Sequence, residues 1–306
     1  MRGPEISVIG YGAWEAGGTA WGPNESEQVV MDAIRAGLDA GIDWVDTAEV
    51  YGDGASELLV GRAIAGWRDE VTLATKVAPR PEGSGFTPAQ VRSACEESLG
   101  RLATDRVDLY QLHWPDEDGT AVEDTWGAMA ELQDVGLVRH IGVSNFDRGQ
   151  IERCLAIRHV DSLQPEFSML TRANADLIRW CGEQGIGVIS YAPLAYGLLT
   201  GSITAETRFA PGDWRGEEEH EEGPFVDLPG SLEVVDRLRP IADRVGCSLS
   251  ELALAWNVQQ PGVTSAIAGS RDPEHVRSNA AAGDLELDEA TLAELDALLS
   301  LGPAFA

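Results

Sequence analysis

Lysine is almost absent from this chain. Its 306 residues include 22 lysines and arginines, of which Lys76 is the only lysine. Against 51 aspartates and glutamates this leaves a net charge of −29. Gripping a nucleic-acid backbone needs a basic patch, so this balance excludes nucleic acid as a partner. Strong acidity also suits a protein kept soluble in concentrated salt, although a GC-rich genome would explain the loss of lysine equally well. Activity that persists in molar salt would favour the first.

Cysteine is sparse too. Cys95, Cys154, Cys181 and Cys247 lie far apart with no CxxC pair, which argues against a zinc site or a disulfide framework and for buried thiols in a reducing cytoplasm. No run of ~18 apolar residues is present, so no membrane span is expected. The opening MRGPEISVIG holds no apolar stretch of secretory type. A GxGxxG turn is also missing, which removes the usual phosphate signature of an open doubly wound sheet.

What the chain does hold is alternation. Short apolar strands are expected in Ile6–Trp14, at Ile42–Asp46, Val71–Pro79, Val107–Trp114, Val138–Phe146, Ser162–Pro165, Gly187–Tyr191 and Val263–Ala268. Helical patterns fall between them, beginning near Glu25 with Asn24 as N-cap and at Thr87-Pro88, where Thr caps and Pro fits the first turn. Eight such units in about 300 residues predict an α/β fold, the (β/α)8 TIM barrel, as a single domain. Two features fall outside the pattern: a long irregular loop over 196–230 and an extra helix over 289–299. The acidic run Glu217–Glu222 around His220 reads as solvated loop rather than as a chelator, and no metal site is assigned.

In a barrel the chemistry sits at the C-terminal ends of the strands. Those ends carry Asp46, Lys76 and His113, with Tyr51 in the loop after Asp46. A tyrosine ionises near pH 10; a neighbouring ammonium lowers that value and a carboxylate keeps the ammonium charged. Tyrosine backed by lysine and aspartate is therefore a proton donor to a developing alkoxide, and a histidine opposite can donate a second hydrogen bond. Taken singly, Asp46 could cap a helix, Tyr51 could be a rim aromatic and His113 a satisfied core residue. Their joint spacing points to a site.

The blocks GIDWVDTAEVYGDGASELLVGRAI, VTLATKVAP, RVDLYQLHWPD and VRHIGVSNF resemble the aldo-keto reductase superfamily, over nearly the whole chain. The resemblance implies a TIM barrel, reduction of aldehydes and ketones with NADPH (NADH being the alternative), and Asp46, Tyr51, Lys76 and His113 as the catalytic tetrad. It places Gly12, Ser144, Asn145, Gln164, Tyr191, Pro193, Leu194 and Gly197 on the nicotinamide and pyrophosphate. Gly269, Ser270, Arg271, His275 and Asn279 fall on the adenosine end, with Arg271 over a phosphate at the N-terminus of the helix from Pro273. Asp272 and Ser278 depart from the usual pattern there, and the amino-terminal hairpin is shortened to Gly3–Val8. Trp14, Trp21, Trp114 and Phe146, with Trp214 or Phe225, are expected to line the substrate pocket, whereas Trp44 is assigned to barrel packing. Two further readings are an NAD-linked sugar or polyol dehydrogenase and a slow cofactor-sensing regulatory subunit. The oligomeric state is left open.

Overall fold

The computed structural model describes residues 5–22, 24, 26–79, 86–116, 119–217, 220 and 223–300. Eight parallel strands close into a barrel in sequence order: β1 Ile9–Gly12, β2 Trp44–Asp46, β3 Thr72–Val77, β4 Val107–Leu112, β5 Val138–Ser144, β6 Ser162–Gln164, β7 Gly187–Ser190 and β8 Ser265–Ile267. Among the described residues ten α-helices accompany them: α1 Glu27–Asp39, α2 Ala55–Ile64, α3 Pro88–Leu102, α4 Val122–Asp134, α5 Arg148–Leu155, α6 Ala175–Glu183, α7 Leu228–Val245, α8 Leu249–Val258, α9 Pro273–Ala281 and α10 Glu289–Leu299. The expected (β/α)8 barrel is observed, with two helices beyond the eight units: one of the pair α7 and α8 between β7 and β8, and α10 after α9.

Caps mark where the helices begin. Thr87 opens α3 in a capping box with Gln90, and Asp147 and Ser248 do the same for α5 and α8. For α1 the expected cap is corrected. Ser26 accepts from the amide of Val29, while Asn24 turns its amide to the carbonyl of Ala16, eight residues back.

The period-two alternation of the strands fills the barrel in layers. Trp44, Ala74, Leu109, Ile189 and Ile267 form an apolar cluster inside it. The indole of Trp44 leaves no room for a side chain opposite, since a Cβ on Gly10 would come within 2.0 Å of the ring. Its Nε1 donates to the carbonyl of Ser7 and to Ser265 Oγ, both at 3.1 Å. The segment before β1 is thus tied under the barrel, and residues 5–8 form no strand; the start of the expected hairpin remnant lies outside the described residues. One step further along the same inward rows, Asp46 stands beyond Trp44, Lys76 beyond Ala74 and Gln111 beyond Leu109.

The segment between β7 and α7 is irregular but anchored. Short 3₁₀ turns occur at Ala195–Thr200 and Trp214–Gly216, Trp21 pairs with Asp213, and the amide of Trp214 donates to Ala20. Four of the acids considered as chelators (Glu218, Glu219, Glu221 and Glu222) lie outside the described residues. Among the described residues no helix is long and apolar enough to cross a membrane.

Candidate active site

A cleft of about 770 Å³ opens at the C-terminal end of the strands. It exists because side chains at the strand ends splay into loops, and because two glycines let backbones meet. A Cβ on Gly269 would lie 2.2 Å from the carbonyl oxygen of Gly12, and one on Gly12 would lie 2.5 Å from Ile267. Any larger residue at either position would push β1 from the chain leaving β8.

At the floor, Lys76 is fully buried and makes three hydrogen bonds: to Asp46 Oδ1 at 2.5 Å, the carbonyl of Thr47 at 3.0 Å and Tyr51 Oη at 3.1 Å. An ammonium has three protons, and each has an acceptor. Asp46 is itself held from the far side by Gln164 Nε2 at 2.9 Å. Burying two ions costs several kcal/mol each, and only such complete pairing offsets it. Burial works against the charge on Lys76, yet Asp46 and Tyr51 outweigh it and hold the ammonium above its ordinary range. Burial pushes the Asp46 carboxyl above its ordinary range against the pull of Lys76, so the pair is held by its 2.5 Å contact and by the bonds that satisfy both groups.

Tyr51 departs from expectation. Burial raises its pKa above the ordinary tyrosine value and outweighs the downward pull of Lys76. The expectation considered only the ammonium, which is the smaller influence in this dry site. His113, across the ring at 5.6 Å between centroids, is held well below the ordinary imidazole range, by burial first and by Lys76 second. Its Nδ1 is buried and has no hydrogen-bond partner among the described residues.

Beside this floor, Ser144 Oγ donates to the carbonyl of Gln164 at 2.8 Å, Asn145 Nδ2 donates to the carbonyl of His113 at 3.1 Å, and Tyr191 Oη donates to Asn145 Oδ1 at 3.1 Å. Amide and hydroxyl groups of Ser144, Asn145 and Gln164 thus gather next to an aromatic ring, a donor and acceptor set suited to a planar carboxamide. Pro193, Leu194, Gly197, Gly269, Ser270, His275 and Asn279, all expected along an extended dinucleotide, line the same cleft.

The aromatic expectations divide. Trp14, Trp21 and Trp114 line the cleft; Trp14 lies 6.1 Å from the Tyr51 ring and Trp114 leans on His113 at 4.5 Å. Trp214 stacks behind Trp14 at 6.2 Å, with Phe225 packed on Trp214 in turn. Phe146 is corrected. Asn145 adopts a left-handed φ of 59°, which breaks the strand's alternation. Phe146 is consequently buried in the core, bordering a separate hollow with Leu177 and Trp180 of α6.

Arg271 is corrected as well. Its guanidinium donates to the carbonyls of Trp21 and Gly22 and to Asn24 Oδ1 at 2.9–3.3 Å, and it approaches Glu15 at 3.7 Å. It fastens the loop after β1 instead of standing over α9. The N-terminus of α9 is capped by the carboxylate of Asp272, which accepts from the amide of Glu274.

Several cleft residues had no sequence signal. Glu15 lines it from the loop after β1 and Ser250 from the first turn of α8, while Tyr196, Ser202 and Arg215 reach it from the irregular segment over 196–230. Arg215 is clamped to Asp213 at 2.6 Å and lies over the Trp21 ring at 4.4 Å. Burial pushes the carboxyl of Glu15 upward, against the pull of Arg271 and Arg215.

The profile of the Aldo/keto reductase family matches residues 8–300. The NADH-specific methylglyoxal reductase of Escherichia coli is 32% identical over 307 residues, spanning 93% of this chain and 92% of that protein. The glycerol dehydrogenase AKR11B4 of Gluconobacter oxydans superposes with a TM-score of 0.86 at 29% identity, covering 98% of this chain and 95% of the other. An aldo/keto reductase from Klebsiella pneumoniae, solved in complex with NADP and acetate, gives 0.75 at 33% identity over 96% and 92% of the two chains.

Proposed function

Since the chain belongs to the aldo/keto reductase family, an NAD(P)H-dependent oxidoreductase family acting on carbonyls, we propose that Tyr51 is its proton donor and that Lys76, Asp46 and His113 equip it for that role. The observation that carries this reading is the buried relay Tyr51–Lys76–Asp46–Gln164, with links of 3.1, 2.5 and 2.9 Å.

When bound, NADPH or NADH supplies the hydride to the carbonyl carbon. Tyr51 gives its proton to the carbonyl oxygen as charge develops there, so that the product is the alcohol and the tyrosine is left as phenolate. Lys76 stabilises that phenolate through the bond already in place, and Asp46 keeps the lysine charged and pointed at it. We assign the proton of the neutral His113 to Nε2, since Nδ1 faces no acceptor, and Nε2–H then orients the carbonyl oxygen. Ser144, Asn145 and Gln164 would hold the carboxamide of the nicotinamide beside Tyr191, and Ser270, His275 and Asn279 would hold the adenosine. Trp14, Trp21 and Trp114 exclude water and favour a small apolar or sugar-like carbonyl compound. The NADP of the Klebsiella neighbour supports NADPH, and the NADH-specific relative keeps NADH in play. The glycerol dehydrogenase neighbour supports a second reading, polyol oxidation through the same residues in reverse. Three buried cysteines and a fourth half-buried one, all free, suit a reducing cytoplasm.

Tyr51→Phe tests the assignment. Reduction of a panel of aldehydes should fall by about 10²–10⁴-fold, while NADPH still quenches the tryptophan fluorescence. Wild-type turnover in that variant would remove Tyr51 from the role.

A further inference from the structure

Beneath the loop that carries Tyr51 lies a second buried ion pair that touches nothing in the cleft. Glu57, in the first turn of α2, is wholly buried, and Oε2 meets Arg101 Nε of α3 at 2.6 Å. Its other oxygen, Oε1, accepts from Thr75 Oγ1 at 2.6 Å. Thr75 is the residue before Lys76, and the alternation of β3 turns it outward as it turns Lys76 inward. The two faces of one strand are therefore bonded to one loop and the helix it leads into: Lys76 to Tyr51, and Thr75 to Glu57 six residues later.

Arg101 completes the arrangement. Its side chain runs against Gly54, which has φ 87°, and a Cβ there would lie 2.4 Å from Arg101 Cδ. Arg101 also donates to Ser98 Oγ at 3.1 Å and stands 4.0 Å from the buried carboxylate of Glu49. Glu49 closes the circuit back to the end of β3, accepting from the amide of Ala78, the residue after that strand, at 3.0 Å. Arg101 thus links the Gly54 end of the turn to the carboxylates of Glu57, Glu49 and, at 3.8 Å, Glu97.

A buried ion pair is poor evidence of stabilisation, because apolar residues of similar volume commonly do as well or better. What it supplies is direction. We propose that the Thr75–Glu57–Arg101 network is a positioning device, setting the distance between Tyr51 Oη and Lys76 Nζ on which proton donation depends. The inference rests on the assignment of Tyr51 as donor. A displacement of about 1 Å at a reacting group can cost roughly 10²-fold in rate, and this network ties α2 by side chains to the strand of Lys76.

The test uses Thr75→Val, which keeps shape and removes one hydroxyl, together with Arg101→Met and Arg101→Lys. In each, kcat for aldehyde reduction, KM, NADPH affinity by fluorescence quenching and the alkaline limb of the pH–rate profile are measured. Thr75→Val and Arg101→Met should lower kcat about 10- to 100-fold with KM and NADPH affinity little changed, and should move the alkaline limb. Arg101→Lys should recover part of the rate. Variants that are folded, even with a lowered melting point, but keep wild-type kcat and pH profile would overturn the proposal and leave a merely structural pair. Tyr51→Phe run alongside separates the two ideas: an active Tyr51→Phe removes the donor itself, whereas an inactive one beside fully active Thr75→Val and Arg101→Met removes only the positioning device.

Discussion

The two ends of the barrel interior are made by the same strands and the same alternation, yet they answer to different physics. At one end Trp44, Ala74, Leu109, Ile189 and Ile267 pack without charge. One turn of the pleat further on, the same rows present Asp46, Lys76 and Gln111, all buried. The apolar layer gains from leaving water. The polar layer pays for leaving it, and persists because Lys76, Asp46 and Gln164 satisfy one another. Stability is therefore concentrated where nothing reacts, and the strand ends are free to hold groups that the fold alone would not favour.

That contrast can be broken from the polar side first. Asp46→Asn should remove about 10²–10⁴-fold of the activity; it also leaves Lys76 buried without a counter-charge, for a loss of about 3–5 kcal/mol by chemical denaturation. An Asp46→Asn enzyme with full rate and full stability would show that the pair matters to neither. From the apolar side, Trp44→Ala should lower stability by about 3–5 kcal/mol while the folded fraction keeps its kcat. A fall in kcat out of proportion to the folded fraction would mean that the two layers are not separable.

The third expectation concerns pH. Tyr51 must carry its proton to donate it, and burial holds its pKa above the ordinary value. Reduction should therefore run level through neutrality and decline only on the alkaline side. His113, held well below its ordinary range, is already neutral at pH 7 and should add no limb between about pH 6 and 8. A rate that rises or falls through that interval, and does so no longer in His113→Asn, would contradict the assignment. The smallest effect is expected far from either layer. Arg92 and Glu96 form an exposed pair on α3 at 3.1 Å, and Arg92→Ala should leave melting point and turnover unchanged, since such pairs are screened and mobile.

The barrel and its floor were legible because both depend on local regularity. Alternation with a period of two places Asp46 and Lys76 inward at strand ends, and a lone lysine in a buried strand draws attention to itself. What escaped depends on contacts remote in sequence or on single dihedral angles. The φ of Asn145 sends Phe146 into the core instead of the cleft. Arg271 is taken up by carbonyls some 250 residues away. Gln164 was expected to face the nicotinamide, and no pattern in LQPE indicated that its amide also braces Asp46. The Tyr51 shift runs opposite to the expectation because a nearby ammonium is visible in sequence and the extent of burial is not.

The most direct test of the account is the turnover of Lys76→Arg with saturating NADPH and aldehyde. Arginine keeps the positive charge but has a planar, bulkier head than the ammonium that now reaches Asp46, Thr47 and Tyr51 together. The account predicts a loss of at least about 10²-fold in kcat with NADPH still bound; turnover equal to wild type would contradict it.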